Sequence, residues 1–467
     1  MIYSVVLCLA SFIWLVVILR RYRVSLGLPI AYLFTLLFIH VPGAIAHIVG
    51  GGSLADTDAT ETGIWLTAVG AASFVGGVWM VRLIKEKHNP VPAPANRQNF
   101  AIFCLVAGLG ITYTLRLVVS VPSIGAVIEK SGGVWVLGVL LGLRMAVRRA
   151  NLIEVSLWLG AMAIYPVLTL LLGGFLSFGS TPIFIILAGL VISTRSKWRV
   201  AVGLPVIAFV VFTLFLSYFK NRDEIRGAVW GGAAMASRVE TSIQMIRDFE
   251  FFDSGNEAQL QALDRRLNQN YFVGKAASRL ASSQVEWLHG RSFWEALIAP
   301  VPRLIWPDKP VIAGSPAIIM EMTGFMVNDT TSYGVGNVME LYINFGIPSL
   351  VAGFLSLGLL FGWLDRRAAL AERGGDLGQT ILYFMPAAAM IHPNGSLVEL
   401  TGGGASALIA AFGWRWLWTH WVERKAGGIS RKVRRLKSRS ARRGCIASPQ
   451  SMPDEGQVGG YKKESHA

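Results

Sequence analysis

The chain has 467 residues, of which 53% are hydrophobic and 15% charged, with a net charge of +15 and a mean hydropathy of +0.51. The apolar residues run in long blocks rather than in helical stripes, which excludes an ordinary soluble enzyme of two or three domains. Cys8 and Cys104 fall in apolar blocks and Cys445 near the C-terminus, so neither a disulfide framework nor a cysteine metal cluster is indicated.

In chain order the apolar blocks lie near 2–19, 27–49, 64–84, 100–120, 134–147, 152–172, 181–194, 200–219, 337–363, 378–395 and 403–421. Most are long enough to cross a hydrocarbon layer of about 30 Å as a helix. The first is followed by Arg20, Arg21 and Arg23 and reads as a retained span, not a cleaved leader. Cations then alternate from loop to loop. Arg82, Lys85, Lys87 and Arg97 share one side with Arg148, Arg149, Arg195, Lys197, Arg199, Arg366, Arg367 and Arg373. The intervening short loops carry almost none. The positive-inside rule therefore predicts an all-α polytopic integral membrane protein of about 11 spans, N-terminus outside and C-terminus cytoplasmic.

That topology divides the chain into an N-terminal bundle (1–219), a large periplasmic or extracellular loop (220–336), C-terminal spans (337–421) and a basic tail (422–467). The tail run RKAGGISRKVRRLKSRSARR, directly after the last span, is suited to anionic lipid headgroups rather than to nucleic acid. Beyond it the sequence is poor in apolar residues and reads as disordered.

The loop holds the candidate chemistry. Arg222 and Arg226 are four apart at its start and share a face if a helix continues there. Val239, Ile243 and Ile246 predict an amphipathic helix, and a second helical stretch is expected over 256–288. That stretch carries Arg265, Arg266, Lys275, Arg279 and, at its end, His289; Arg279 stands out because small apolar residues flank it. The phrase PVPRLIWPDKP (300–310) contains four prolines, which forbid a regular helix and hold Arg303, Trp306 and Lys309 on a stiff path. Arginine suits bidentate recognition of phosphate oxygens and lysine adds a point charge. Trp306 offers a flat face for a sugar ring or the lipid interface. Glu340 and Asn344, four apart, enter the next apolar block, where an acid must face a polar cavity or a partner cation. His40 and His47 in the second block read as packing residues. There is no phosphate-binding glycine loop, no HExxH and no convincing acidic metal cluster, so no cofactor or metal is expected.

The combination of many spans, one large outer loop, PRLIWPDKP and GNVMELYINFG resembles the bacterial oligosaccharide repeat-unit polymerases, the Wzy-type O-antigen polymerase family. The resemblance covers about 152–363. Near the last spans the family often has an arginine where this chain has His392, so no arginine role is carried there. The resemblance implies a metal-independent, inverting membrane glycosyltransferase of the bacterial inner membrane. Its substrate would be undecaprenyl-diphosphate-linked oligosaccharide, polymerised into O-antigen, capsule or exopolysaccharide, with a chain-length regulator as a further partner. Arg303 and Arg279 would stabilise the departing diphosphate, and His289 or Glu340 would accept the acceptor hydroxyl's proton. Arg222, Arg226, Trp306, Lys309 and Asn344 would bind substrate. The alternatives are an O-antigen ligase-type transferase, another polytopic acyl or glycosyl transferase, and a transporter or flippase. A transporter predicts internal repeats and charged midplane residues, which the sequence does not display.

Overall fold

The computed structural model describes residues 1–50, 54–84, 96–116, 122–173, 177–194, scattered positions between 196 and 218, 221–247, 251–253, 255–302, 305–310, 314–326 and 333–423. The basic tail beyond 423 lies outside them. Among the described residues the protein is helical throughout, and seven helices are long and apolar enough to cross a membrane. It is a polytopic membrane protein.

The first three spanning helices are α1 (Ile2–Tyr22), α2 (Leu28–Val49) and α3 (Thr57–Leu83). α4 (Arg97–Arg116) follows, then α5 (Pro122–Ser131) and α6 (Val134–Arg149), which together give one spanning stretch from Ile124 to Arg149. The block expected at 134–147 is therefore the second half of a longer one. α7 (Leu152–Gly173) spans, and α8 (Ser177–Ser193) is a shorter apolar helix. After the loop, the block expected as one span over 337–363 is broken at Gly346, whose φ of 72° divides α15 (Asn337–Phe345) from the spanning α16 (Ile347–Gly374). α17 (Leu377–Ala389) and α18 (Leu397–Leu417) close the bundle.

α3 and α16 form its centre. A Cβ on Gly77 would lie 2.2 Å from the Leu355 carbonyl oxygen, and one on Gly358 would lie 2.1 Å from that of Phe74. Only glycines permit this backbone approach, the means by which helices associate where lipid offers no hydrophobic drive. Tyr32, Phe74 and Phe361 fill the space beside the crossing, each buried.

One end of the bundle gathers the arginines that sequence reasoning assigned to a common side. Asp365 is fully buried, accepts from the amides of Leu26, Gly27 and Leu28 at 2.9, 3.1 and 3.2 Å, and pairs with Arg82 at 2.8 Å. Arg97 pairs with Glu372 at 3.4 Å, Arg20 donates to the carbonyls of Val191 and Thr194, Arg366 to that of Val81 and Arg373 to that of Arg23. Guanidinium groups thus close the helix ends whose carbonyls have no intrahelical partner.

The loop comprises α9 (Arg222–Trp230), α10 (Met235–Arg247), α11 (Glu257–Leu267), α12 (Asn270–Ala281), α13 (Arg291–Ile298) and α14 (Ser315–Thr323). The helical stretch expected over 256–288 is two helices with a corner at Asn268 and Gln269, where a buried amide replaces the periodic leucines. Leu260, Leu263 and Leu267 of α11 pack with Ala46 of α2 and with Phe38 and Leu54. α12 lies against α3, with Gly63 meeting Asn270 and Gly274 meeting Ala59. The loop is packed into the bundle rather than laid over it.

Candidate functional site

The corner between α11 and α12 carries a polar seam into the first helices. His47 Nε2 lies 2.7 Å from Asp264 Oδ1 and its Nδ1 3.1 Å from Thr57 Oγ1. Asn268 donates to Asp264 at 2.6 Å and to Thr60 at 2.8 Å. His40 Nδ1 lies 2.7 Å from Asn270 Oδ1, and Asn270 donates to the His40 carbonyl at 2.7 Å. Sequence reasoning took the two histidines as packing residues. They also dock the loop, and no local signal reveals this because the loop residues they meet, Asn270 and Asp264, lie more than two hundred residues away.

A second polar group surrounds α15. The backbone before it runs against the His392–Gly395 turn: Gly336 donates to the Asn394 carbonyl at 3.1 Å and Asn337 to that of Pro393 at 2.8 Å. A Cβ on Gly334 would lie 1.8 Å from the Asn394 carbonyl oxygen, so this approach too requires glycine. The Asn337 side chain accepts from Tyr32 at 2.8 Å and donates to the Gly395 carbonyl at 3.2 Å.

One turn on, Glu340 is fully buried. Its Oε2 accepts the Leu397 amide at 2.7 Å, the first residue of α18, where a helix start favours negative charge. Its Oε1 is enclosed with no hydrogen-bond partner. Glu340 lies outside the seven spanning helices, and burial pushes its carboxyl up to about 8. The Leu397 amide and the nearby Ser292 hydroxyl pull the other way, while the negative charges of Glu399 and Glu295 reinforce the rise.

Asn344 donates to Ser292 Oγ at 2.8 Å and to the Glu340 carbonyl at 2.7 Å, and accepts from the Gly290 amide at 3.0 Å. It thereby fixes the start of α13 against α15. His289, exposed and with a φ of 46°, sits at that turn, its ring 6.3 Å from that of Phe345. Beside them His392 Nε2 lies 3.3 Å from Glu399 Oε2, and Ser315 donates to Glu399 Oε1 at 3.4 Å. Arg291 pairs with Glu321 at 2.6 Å, and Arg279 reaches the Glu321 carbonyl and Gln284 Oε1, each at 3.4 Å. Arg279 therefore ties α12 to α14.

A separate basic group forms where α9 meets α11. Arg222 is 9% exposed, and its Nε is enclosed without a partner. Arg226 and Arg266 lie within electrostatic reach, and burial followed by these two cations lowers the Arg222 pKa. Arg226 also stacks over Trp230 at 5.1 Å. Sequence reasoning placed Arg222 and Arg226 on one face, as found; Arg266 joins them only through the packing of α11.

The proline-rich phrase takes a different part. Lys309 is buried and donates to the carbonyls of Ala299 at 2.9 Å and Val301 at 3.1 Å, so its ammonium closes the chain after α13. Trp306 is partly exposed beside it. Arg303 lies outside the described residues.

The expected site residues thus fall in three places: Glu340, Asn344, His289 and Arg279 around α13–α15, Arg222 and Arg226 at the basic group, and Trp306 with Lys309 on the proline-rich segment. Ser292, Asn337, Glu399 and Arg266 were missed. Among the described residues no three His, Cys, Asp or Glu side chains are placed to hold a metal ion. Comparison with family models, with curated proteins and with solved structures finds no match to this chain.

Proposed function

We propose that the chain is a membrane glycosyltransferase that joins lipid-diphosphate-linked oligosaccharide units, as the repeat-unit polymerases do whose motifs it resembles. The observation that carries this reading is Glu340: a buried carboxyl, raised to about 8, one oxygen held by a backbone amide and the other enclosed without a partner. A group with that affinity for a proton suits general-base work near neutral pH.

In the proposed reaction Glu340 Oε1 takes the proton of an acceptor sugar hydroxyl. The hydroxyl oxygen attacks the anomeric carbon of the donor chain as the bond to the lipid diphosphate breaks. The leaving diphosphate gains negative charge, which the separate basic group of Arg222, Arg226 and Arg266 stabilises once loop movement brings it to the reacting centre. Asn344 and Ser292 act as positioning residues by setting the start of α13 against α15. Glu340 is closed off, so an acceptor reaches it only when the α13 side of the loop moves away.

The same reading places the protein in a bacterial inner membrane with the loop on the outer face, where such donors are presented. Protein reconstituted with an undecaprenyl-diphosphate-linked repeat unit is expected to produce a ladder of longer glycans. Transfer of a single finished glycan to another acceptor would indicate a ligase. Movement of the lipid-linked unit across the bilayer without new glycosidic bonds would overturn the proposal.

A further inference from the structure

At the arginine-rich end of the bundle, Arg144 keeps two donors that reach no acceptor among the described residues. Arg144, on α6, is 8% exposed, and its Nε and Nη1 are both enclosed without a hydrogen-bond partner. The nearby acids are already engaged. Asp365 holds Arg82 and three backbone amides, and Glu372 holds Arg97. The remaining charges within electrostatic reach, Arg148 and Arg373, are cations. Both are exposed, and Arg373 donates to the Arg23 carbonyl.

An enclosed guanidinium whose nearby carboxylates, Glu372 and Asp365, are shared with other cations is only partly compensated, so this cluster can take a further anion. Its geometry suits a phosphate: Arg144 presents planar donors, and Arg148, one turn along α6 on the exposed side, adds a second guanidinium. Arg144 is five residues from the end of α6, about 7.5 Å along the axis, which is headgroup depth for a spanning helix. We propose that Arg144, with Arg148 and Arg373, forms an anion site for a phosphate group at the arginine-rich end of the bundle, distinct from the candidate site around α15. The phosphate belongs either to a phospholipid headgroup in the adjoining leaflet or to a soluble anion.

The test follows thermal unfolding of the full-length protein in detergent, titrated with short-chain phosphatidylglycerol, short-chain phosphatidylcholine or inorganic phosphate. Wild type is expected to gain stability with phosphatidylglycerol, and Arg144→Gln to need about tenfold more of it for the same gain. Arg148→Gln, an exposed change that leaves α6 intact, should need a few-fold more. A gain from inorganic phosphate alone, also lost in Arg144→Gln, assigns the site to a soluble anion. In detergent alone, with neither phospholipid nor phosphate, Arg144→Gln should melt at or above the wild-type temperature, because an incompletely paired charge has been removed. A lower melting temperature there would mean that Arg144 already has its acceptor within the chain, and overturns the proposal. Superimposable titrations of wild type and both variants overturn it as well.

Discussion

Two buried polar groups join the loop to the bundle, and they are built to opposite ends. In the seam between α2, α3 and the α11–α12 corner, His47 uses both ring nitrogens, and Asp264, Asn268 and Asn270 close on their neighbours. Among the described residues His40 Nε2 and, at the corner, Gln269 Oε1 are left over, and neither belongs to a carboxyl. Around α15 the neighbours are equally well fixed, yet the central carboxyl keeps one oxygen unpartnered. A saturated network rigidifies; a buried acid left half satisfied has a displaced pKa and chemistry to offer. The difference separates an anchor from the proposed site.

The comparison breaks most sharply in a pair of variants. Glu340→Gln is expected to lower the rate of glycan extension by about 10²- to 10⁴-fold, read from reconstituted ladders, while the protein still inserts and melts cooperatively. Arg222→Ala should cost about 10²-fold in the same assay, because a preorganised cation at the leaving group is lost. Conversely, Asp264→Ala should reduce stability by about 1–3 kcal/mol, seen in denaturation midpoints, with the activity of the remaining folded protein unchanged. If Asp264→Ala removed activity at full stability, the seam would be part of the chemistry and the distinction would fail.

A smaller effect lies in pH dependence. Glu340 titrates near 8 when folded and near 4.5 when unfolded. Between those values the folded chain holds a proton that the unfolded chain has lost, so stability falls as pH rises through the window. The slope approaches about 1.4 kcal/mol per pH unit in mid-window, and Glu340→Gln should flatten it. The mildest expectation concerns Lys309→Met, which removes the ammonium from two carbonyls and should lower stability by about 1 kcal/mol without abolishing extension. Loss of all activity in that variant would restore Lys309 to substrate binding.

The sequence made the membrane class and the arginine-rich end legible, because both depend on local composition. It also pointed to Glu340 and Asn344 through their spacing at the edge of an apolar block. What it hid depends on contacts between distant segments. The break at Gly346 looks like any glycine in an apolar run until Leu341 is seen folded back against Gly353. The seam joins His47 to Asp264, and Asn337 meets a turn some sixty residues later. The proline-rich phrase read as a display of cations, yet Lys309 turns inward because the carbonyls that follow a short helix need donors. Arg266 was one cation among several in the 256–288 stretch until α11 brought it within electrostatic reach of Arg222.

The most direct test of the central claim is the pH–rate profile of glycan extension by reconstituted wild-type protein. If Glu340 accepts the hydroxyl proton, the rate rises with pH and levels off above about 8, the value at which its carboxyl ionises. Arg222→Ala should keep that profile at a lower plateau. A rate that is flat from pH 6 to 9, or that falls across the range, would contradict the account.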